Sequence, residues 1–160
     1  RDYYASRGLG DVYKRQIDPI VIISEQPLEE TVSAVEIEEY VEDTLLPQED
    51  IELIALVTMA EAEGECEEGK RLVIDTILNR VDSVYFPDTV HGVIYQANQF
   101  SSMWNGRVNK CFVDDDICQL VEEELQSRTN VDTIFFTAGG YGKYGTPMFQ
   151  VGNHYFSSYE

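Results

Sequence analysis

The sequence predicts an α+β domain, mainly α, closed by a small C-terminal β-hairpin. Three observations predict it. A nearly continuous apolar run from Ile51 to Ala60 reads as a helix covered on most sides. Two later segments, Glu67 to Val81 and Asp114 to Gln126, place apolar residues at helical spacing. Two short runs rich in β-branched and aromatic residues, Ile134 to Thr137 and Met148 to Phe156, flank a Gly- and Tyr-rich connection.

The elements follow in chain order. Residues 1–16 hold Arg1, Arg7, Lys14 and Arg15, after which no lysine or arginine appears until Lys70. This segment has no apolar h-region and no cleavage pattern, so it reads as a truncated or non-native leader rather than a signal peptide. Residues 17–48 are dense in Glu and broken by Pro19, Pro27 and Pro47, the composition of an acidic, largely disordered linker. Within it Thr31 to Val41 could form one acidic helix, and the Ile17 to Ile23 stretch is too short to span a bilayer. Residues 49–160 are left as one domain of roughly 110 residues, enough to bury a core of its own.

In that domain the first helix carries Glu61 on the face of Ile54, Val57 and Thr58, and Gly64 is its expected stop. The second, Glu67 to Val81, sets Ile74, Ile77, Leu78 and Val81 inward and opens on two acids, which its N-terminal dipole favours. Phe86-Pro87-Asp88 reads as a turn, with Asp88 as N-cap of a short helix from Thr89 to Tyr95. The last helix, Asp114 to Gln126, gathers Ile117, Leu120, Val121 and Leu125 on one stripe.

Glu61 is the residue with distinctive chemistry. A carboxyl at a helix C-terminus meets the negative end of the dipole, and apolar surroundings also disfavour its charged form. That is the condition for a general acid near neutral pH. A plain surface glutamate just past a helix end is the competing reading.

The segments Ala60-Glu61-Ala62-Glu63-Gly64-Glu65, Leu78-Asn79-Arg80-Val81, Gly92-Val93-Ile94-Tyr95-Gln96, Gln99-Phe100-Ser101 and Gly152-Asn153-His154-Tyr155-Phe156 occur in this order. The series resembles the cell-wall hydrolase family of spore-cortex-lytic enzymes, the SleB/CwlJ type, from about Glu49 onward. The resemblance implies a lysozyme-like fold, cleavage of peptidoglycan glycan strands and a catalytic glutamate at Glu61. It also implies a place in the cell wall or spore cortex, outside the cytoplasm. Glu63 departs from the pattern, since many members look to carry a basic residue there.

Thirty acidic residues against eleven basic ones give a formal net charge of -19, which repels nucleic acid and anionic membrane alike. The same repulsion applies to anionic wall polymers, so the charge gives no help in finding a cell wall. It is the resemblance that implies peptidoglycan glycan strands as partner, with no nucleic acid and no membrane insertion expected; oligomeric state is left open. Cys66, Cys111 and Cys118 are odd in number and lack C-x-x-C spacing, so a core thiol suits Cys118 better than a disulfide does. Only His91 and His154 are present, with no H-E-x-x-H pattern, so neither a metal nor another cofactor is expected.

Candidate substrate contacts are Gln99, Phe100, Ser101, Trp104, Tyr141, Tyr144 and His154. Tyrosines and tryptophan offer flat amphipathic faces on which sugars stack, and the glycines of residues 139–145 let backbone approach a ligand. Each aromatic could equally cover the core, and His154 could be an ordinary strand residue. Hydrolytic glycosidases need two carboxylates, whereas a lytic transglycosylase can use one glutamate twice, as acid and then as base toward the muramic C6 hydroxyl, yielding a 1,6-anhydromuramic end. Glu65 is either a second catalytic acid or a support for the neighbours of Glu61. The alternatives are a zinc-dependent N-acetylmuramoyl-L-alanine amidase and a noncatalytic wall-binding module.

Overall fold

The computed structural model describes residues 46–160. The leader 1–16, most of the acidic linker 17–48 and the Thr31–Val41 helix lie outside the described residues. Four helices run α1 (Gln48–Ala62), α2 (Glu67–Asp82), α3 (Val90–Ile94) and α4 (Asp115–Gln126), with two short 3₁₀ turns, Ser101–Met103 and Val108–Lys110, between α3 and α4. Strands β1 (Phe135–Ala138), β2 (Thr146–Val151) and β3 (His154–Ser158) close the chain.

α1 is the central helix. Ile51, Ile54, Ala55, Val57, Thr58, Met59, Ala60 and Ala62 are all buried, as a helix apolar on most sides must be. α2, α3 and α4 pack around it. Leu46, at the edge of the expected linker, already packs against this core. α4 shows the expected stripe, with Ile117 and Val121 buried and Asp114 capping its N-terminus by accepting from the backbone N–H of Ile117 at 3.1 Å. Cys118 lies in the core, and all three cysteines are free thiols.

α2 is buried more widely than its apolar spacing predicts, because its polar residues are inside as well. Asn79 Nδ2 donates to the carbonyls of Thr133 at 2.9 Å and Asn130 at 3.0 Å. Arg80 Nε donates to the carbonyl of Ile134 at 2.8 Å, and its guanidinium lies 5.1–5.7 Å from the ring centres of Phe86, Phe100 and Phe135. Burial pushes that guanidinium down to about 10. The Asn79-Arg80 pair therefore fastens the entry of β1 to α2. One turn earlier on the same face as Asn79, Asp75 is buried beside the buried Glu124 of α4, with Arg71 Nη1 2.8 Å from Glu124 and the amide of Asn130 2.7 Å from Asp75.

Three expectations need correcting. Gly64 is not a left-handed helix stop: α1 ends at Ala62, Glu63 stays right-handed and Gly64 has no positive φ. The cap of α3 is Thr89, whose hydroxyl accepts from Gly92 N at 3.0 Å, one residue after the expected Asp88. The segment Met148 to Phe156 is not one strand. It folds back at Gly152-Asn153, so the expected hairpin becomes a three-stranded antiparallel sheet in the order β1-β3-β2. The turn sits between paired Val151 and His154, with Gly152 at φ 57, the geometry a two-residue hairpin demands of its first residue.

Candidate active site

Glu61 stands one residue before the end of α1, where the buried face of Ile54, Val57 and Thr58 reaches the surface, and is itself half-buried. The enclosure expected of it is thus partial. Ser102, 2% exposed, donates from Oγ to Glu61 Oε1 at 2.5 Å. This leaves Oε2 as the oxygen free of that bond. Arg107 Nε donates to the carbonyl of Ala60, one of the groups a helix C-terminus leaves unpaired, and Arg107 Nη2 lies 3.6 Å from Glu63. The Glu63–Arg107 contact is exposed at both ends and contributes little energy. The basic residue at this helix end therefore comes from 47 positions downstream.

Glu65 is tied to the β2–β3 turn. Its Oε2 accepts from the backbone N–H of Asn153 at 3.1 Å and its Oε1 from Asn153 Nδ2 at 2.9 Å. The Asn153 side chain, then its backbone N–H, hold the Glu65 carboxyl below the usual carboxylate range, with nearby His154 adding to the effect. A Cβ at Gly152 would meet Glu65 Oε2, the far end of a side chain that would have to shift, while the positive φ is what calls for glycine there.

The expected substrate contacts divide. Gln99, Ser101 and Trp104 are exposed on the segment that carries Ser102, with Trp104 62% exposed. Phe100 is corrected: at 1% exposed it packs against Phe136 and beneath Arg80, and offers no face to a ligand. His154 is buried against the rings of Phe136 and Phe156, the position of a core strand residue. Tyr141 is exposed and meets Tyr155 of β3 edge-on at 5.1 Å. Tyr144 sits elsewhere, 6.4 Å from Phe135 and beneath Lys143, in a group that includes Tyr159 and Tyr85. Gly145, at φ 77, is called for by the sheet, since a Cβ there would collide with the Ser158 carbonyl oxygen and the Phe135 ring. Among the described residues no group of three or more His, Cys, Asp or Glu is placed to hold a metal ion, and no helix is long and apolar enough to cross a membrane.

Ser102 and Arg107 were not among the residues expected at the site. The Ser101-Ser102 pair carried a signal that one serine turns inward, but only the 3₁₀ turn decides which.

A buried central helix that carries one half-buried glutamate near its end, followed by a small antiparallel sheet, defines a mainly helical domain closed by a C-terminal sheet. The chain belongs to the Cell Wall Hydrolase family, whose model matches residues 64–157. Glu61 lies just upstream of that matched segment. The chain is similar to the spore cortex-lytic enzyme of Oceanobacillus iheyensis, 44% identical over 61 residues, which is 38% of this chain and 22% of the relative. It is also similar to the spore cortex-lytic enzyme of Bacillus subtilis (strain 168), 39% identical over 59 residues, 37% of this chain and 19% of the relative. The match thus spans about a fifth of the length of these curated relatives. Among solved structures, the catalytic domain of the germination-specific lytic transglycosylase SleB from Bacillus anthracis superposes with a TM-score of 0.62 at 24% identity, covering 71% of this chain and 97% of that domain. The catalytic domain of the Bacillus cereus SleB protein gives 0.63 at 25% identity, covering 70% and 91%. The mainly helical architecture with a C-terminal sheet is therefore the fold of those catalytic domains.

Proposed function

We propose that this protein is a lytic transglycosylase of peptidoglycan, cleaving between N-acetylmuramic acid and N-acetylglucosamine with Glu61 as its one acid and base. The observation that carries this reading is the contrast between two glutamates four residues apart. Glu61 has one oxygen fixed by Ser102 and the other free of that bond at an exposed helix end. Glu65 has both oxygens occupied by Asn153 and is held ionised, which suits it to fastening the hairpin and not to giving up a proton. The family and the likeness to the SleB catalytic domains support the substrate class.

In the reaction, protonated Glu61 gives its proton to the glycosidic oxygen as the bond from that oxygen to muramic C1 breaks. The resulting Glu61 carboxylate then takes the proton of the muramic C6 hydroxyl while that oxygen bonds to C1. The ring closes to a 1,6-anhydro sugar, and Glu61 ends protonated as it began. Because the nucleophile belongs to the substrate, proximity does the work that a second carboxylate and an activated water do in a hydrolase. Ser102 holds Oε1, so the proton travels on Oε2. We place the action of the enzyme in the cell wall or spore cortex.

Mass spectrometry of fragments released from purified peptidoglycan tests the reading. Anhydromuramic ends that vanish with Glu61→Gln are expected. Reducing muramic ends would convert the enzyme to a hydrolase, free stem peptides to an amidase, and absence of cleavage by folded protein to a binding module.

A further inference from the structure

From Thr133 to Tyr159 the chain carries one formally charged residue, Lys143, although its net charge is -19. These residues build the whole sheet, and the uncharged loop of residues 83–87 meets them through Tyr85. Phe135 pairs with Ser157 across the sheet, so Tyr159, two residues further on, falls on the same face as Phe135. Their ring centres are 6.4 Å apart, with planes 24° from parallel. Tyr85 stacks on Tyr159 at 4.3 Å and 4°, and Tyr144 lies 6.4 Å from Phe135. The rings thus form a row in the order Tyr85, Tyr159, Phe135, Tyr144. Phe135 also lies against the guanidinium of buried Arg80, whereas the three tyrosines are exposed and Val84, beside Tyr85, is 90% exposed. Rings held still by their own stacking lose little side-chain entropy when a partner covers them.

The row has a charge at each end. Lys143 stands over the Tyr144 ring, its Nζ 4.8 Å from the ring centre, and Glu160 follows Tyr159. Both are exposed, and neither makes an ion pair among the described residues. A surface with a cation at one end and an anion at the other is complementary to itself about a two-fold axis: the Lys143 end of one copy meets the Glu160 end of the next. Helices α1, α2 and α4 carry carboxylates on their exposed sides, so contact through them would set acid against acid.

We propose that this ring row is where two copies of the protein dock on each other, as a weak two-fold dimer. The exposed tyrosines and Val84 offer roughly 400–500 Å² per copy, the small, transient end of specific interfaces. The row lies at the end of the sheet that carries Phe135 and Ser158, away from the Gly152-Asn153 turn that clasps Glu65. Pairing there leaves the clasped end uncovered.

Sedimentation equilibrium of the full chain, across protein concentration and salt, tests the dimer. Expected is a reversible monomer–dimer equilibrium that tightens as salt rises from about 20 mM to about 150 mM, because screening relieves the repulsion of two acidic chains more than it weakens two exposed ion pairs. Val84→Glu and Tyr85→Ser, both at exposed positions, should each weaken association about tenfold. Lys143→Glu or Glu160→Lys alone should weaken it by a similar factor, and the two together should restore it, a compensation that a structural role within one copy would not produce. Thermal melts show that each variant is folded. A parent that stays monomeric up to about 1 mM at every salt overturns the proposal. So does a dimer indifferent to the ring variants, or one in which the double charge reversal fails to compensate. A monomeric parent that loses affinity for glycan strands on Tyr85→Ser would give the row to the substrate instead.

Discussion

Ser102 Oγ lies 2.5 Å from Glu61 Oε1, a hydrogen bond that joins the end of the central helix to a 3₁₀ turn 41 residues later. A buried hydroxyl with this single acceptor fixes the rotamer of the carboxyl group and so the direction of the other oxygen. With Glu61 as the proposed acid, Ser102 is proposed as a positioning residue that acts through it. Ser102→Ala should leave the thermal transition within a few degrees of the parent and lower kcat about tenfold with KM little changed, the scale of one hydrogen bond to a charged group. Ser102→Thr, which keeps the hydroxyl, should restore part of the loss. Equal kcat for the alanine variant would show that Glu61 is held by other contacts.

The helices were legible because apolar spacing and acidic first turns are local signals. α1, α2 and α4 lie within a few residues of where the pattern places them. Glu61 was legible for the same reason, as a charge ending an apolar run. The hydrogen bond from Ser102, the Arg107 cap on Ala60 and the clasp of Asn153 on Glu65 were not, since each joins residues 41 to 88 positions apart. Phe100 was misread because an aromatic beside polar residues looks the same in a groove and over a core. The third strand was hidden in Val151-Gly152-Asn153-His154, where glycine was read as part of a strand although its φ of 57 makes a turn.

Gly152→Ala should destabilise the β2–β3 hairpin by roughly 1–3 kcal/mol, from a side chain forced to positive φ and from displacement of Glu65. Its Cβ would occupy the place of Glu65 Oε2. Removing the competing side chain with Glu65→Ala should relieve the steric part and leave the backbone part, so the double variant should be more stable than additivity predicts. Chemical denaturation of the two single variants and the double variant measures the coupling, and strict additivity would show that Glu65 moves aside without cost.

Asp75 predicts a pH dependence with a definite sign. Burial, then the hydrogen bond to Glu124, pushes its carboxyl up to about 8, while Arg71 and the Thr129 hydroxyl and amide help keep Glu124 ionised against its own desolvation. Asp75 Oδ1 is buried with no donor facing it, which a proton shared with Glu124 resolves. In the unfolded chain an aspartate releases its proton near 3.9. The folded state therefore holds a proton the unfolded state has lost, and this contribution is complete below about pH 4, shrinks as pH rises and is gone above about 8. Asparagine mimics the protonated form, accepting from the Asn130 amide and donating to Glu124. Asp75→Asn should raise stability by on the order of 2 kcal/mol at pH 8 and progressively less toward pH 5. Parallel melting-temperature profiles for variant and parent would mean that Asp75 is ionised in the fold.

Tyr141 and Tyr144 should behave differently although both belong to the β1–β2 connection. The strand register places Ala138, His154 and Val151 at the end of the sheet whose turn contacts Glu65, and Phe135, Thr146 and Ser158 toward the other. Tyr141 follows Ala138 closely and rests on Tyr155, near the clasped end. Tyr144 precedes Thr146 and rests by Phe135, roughly 10–13 Å along the strands at the spacing of extended residues. A ring that far down the sheet, already packed with the Tyr85 and Tyr159 group, is poorly placed for a sugar held at Glu61. Tyr141→Ala should weaken binding of glycan fragments by on the order of 1 kcal/mol, whereas Tyr144→Ala should leave binding unchanged and cost a similar amount of stability through lost contact with Phe135. Isotherms and thermal melts on both proteins separate the two effects. Equal loss of affinity in the two variants would carry the groove along the whole length of the sheet, and unchanged affinity in both would make Tyr141 surface cover for Tyr155.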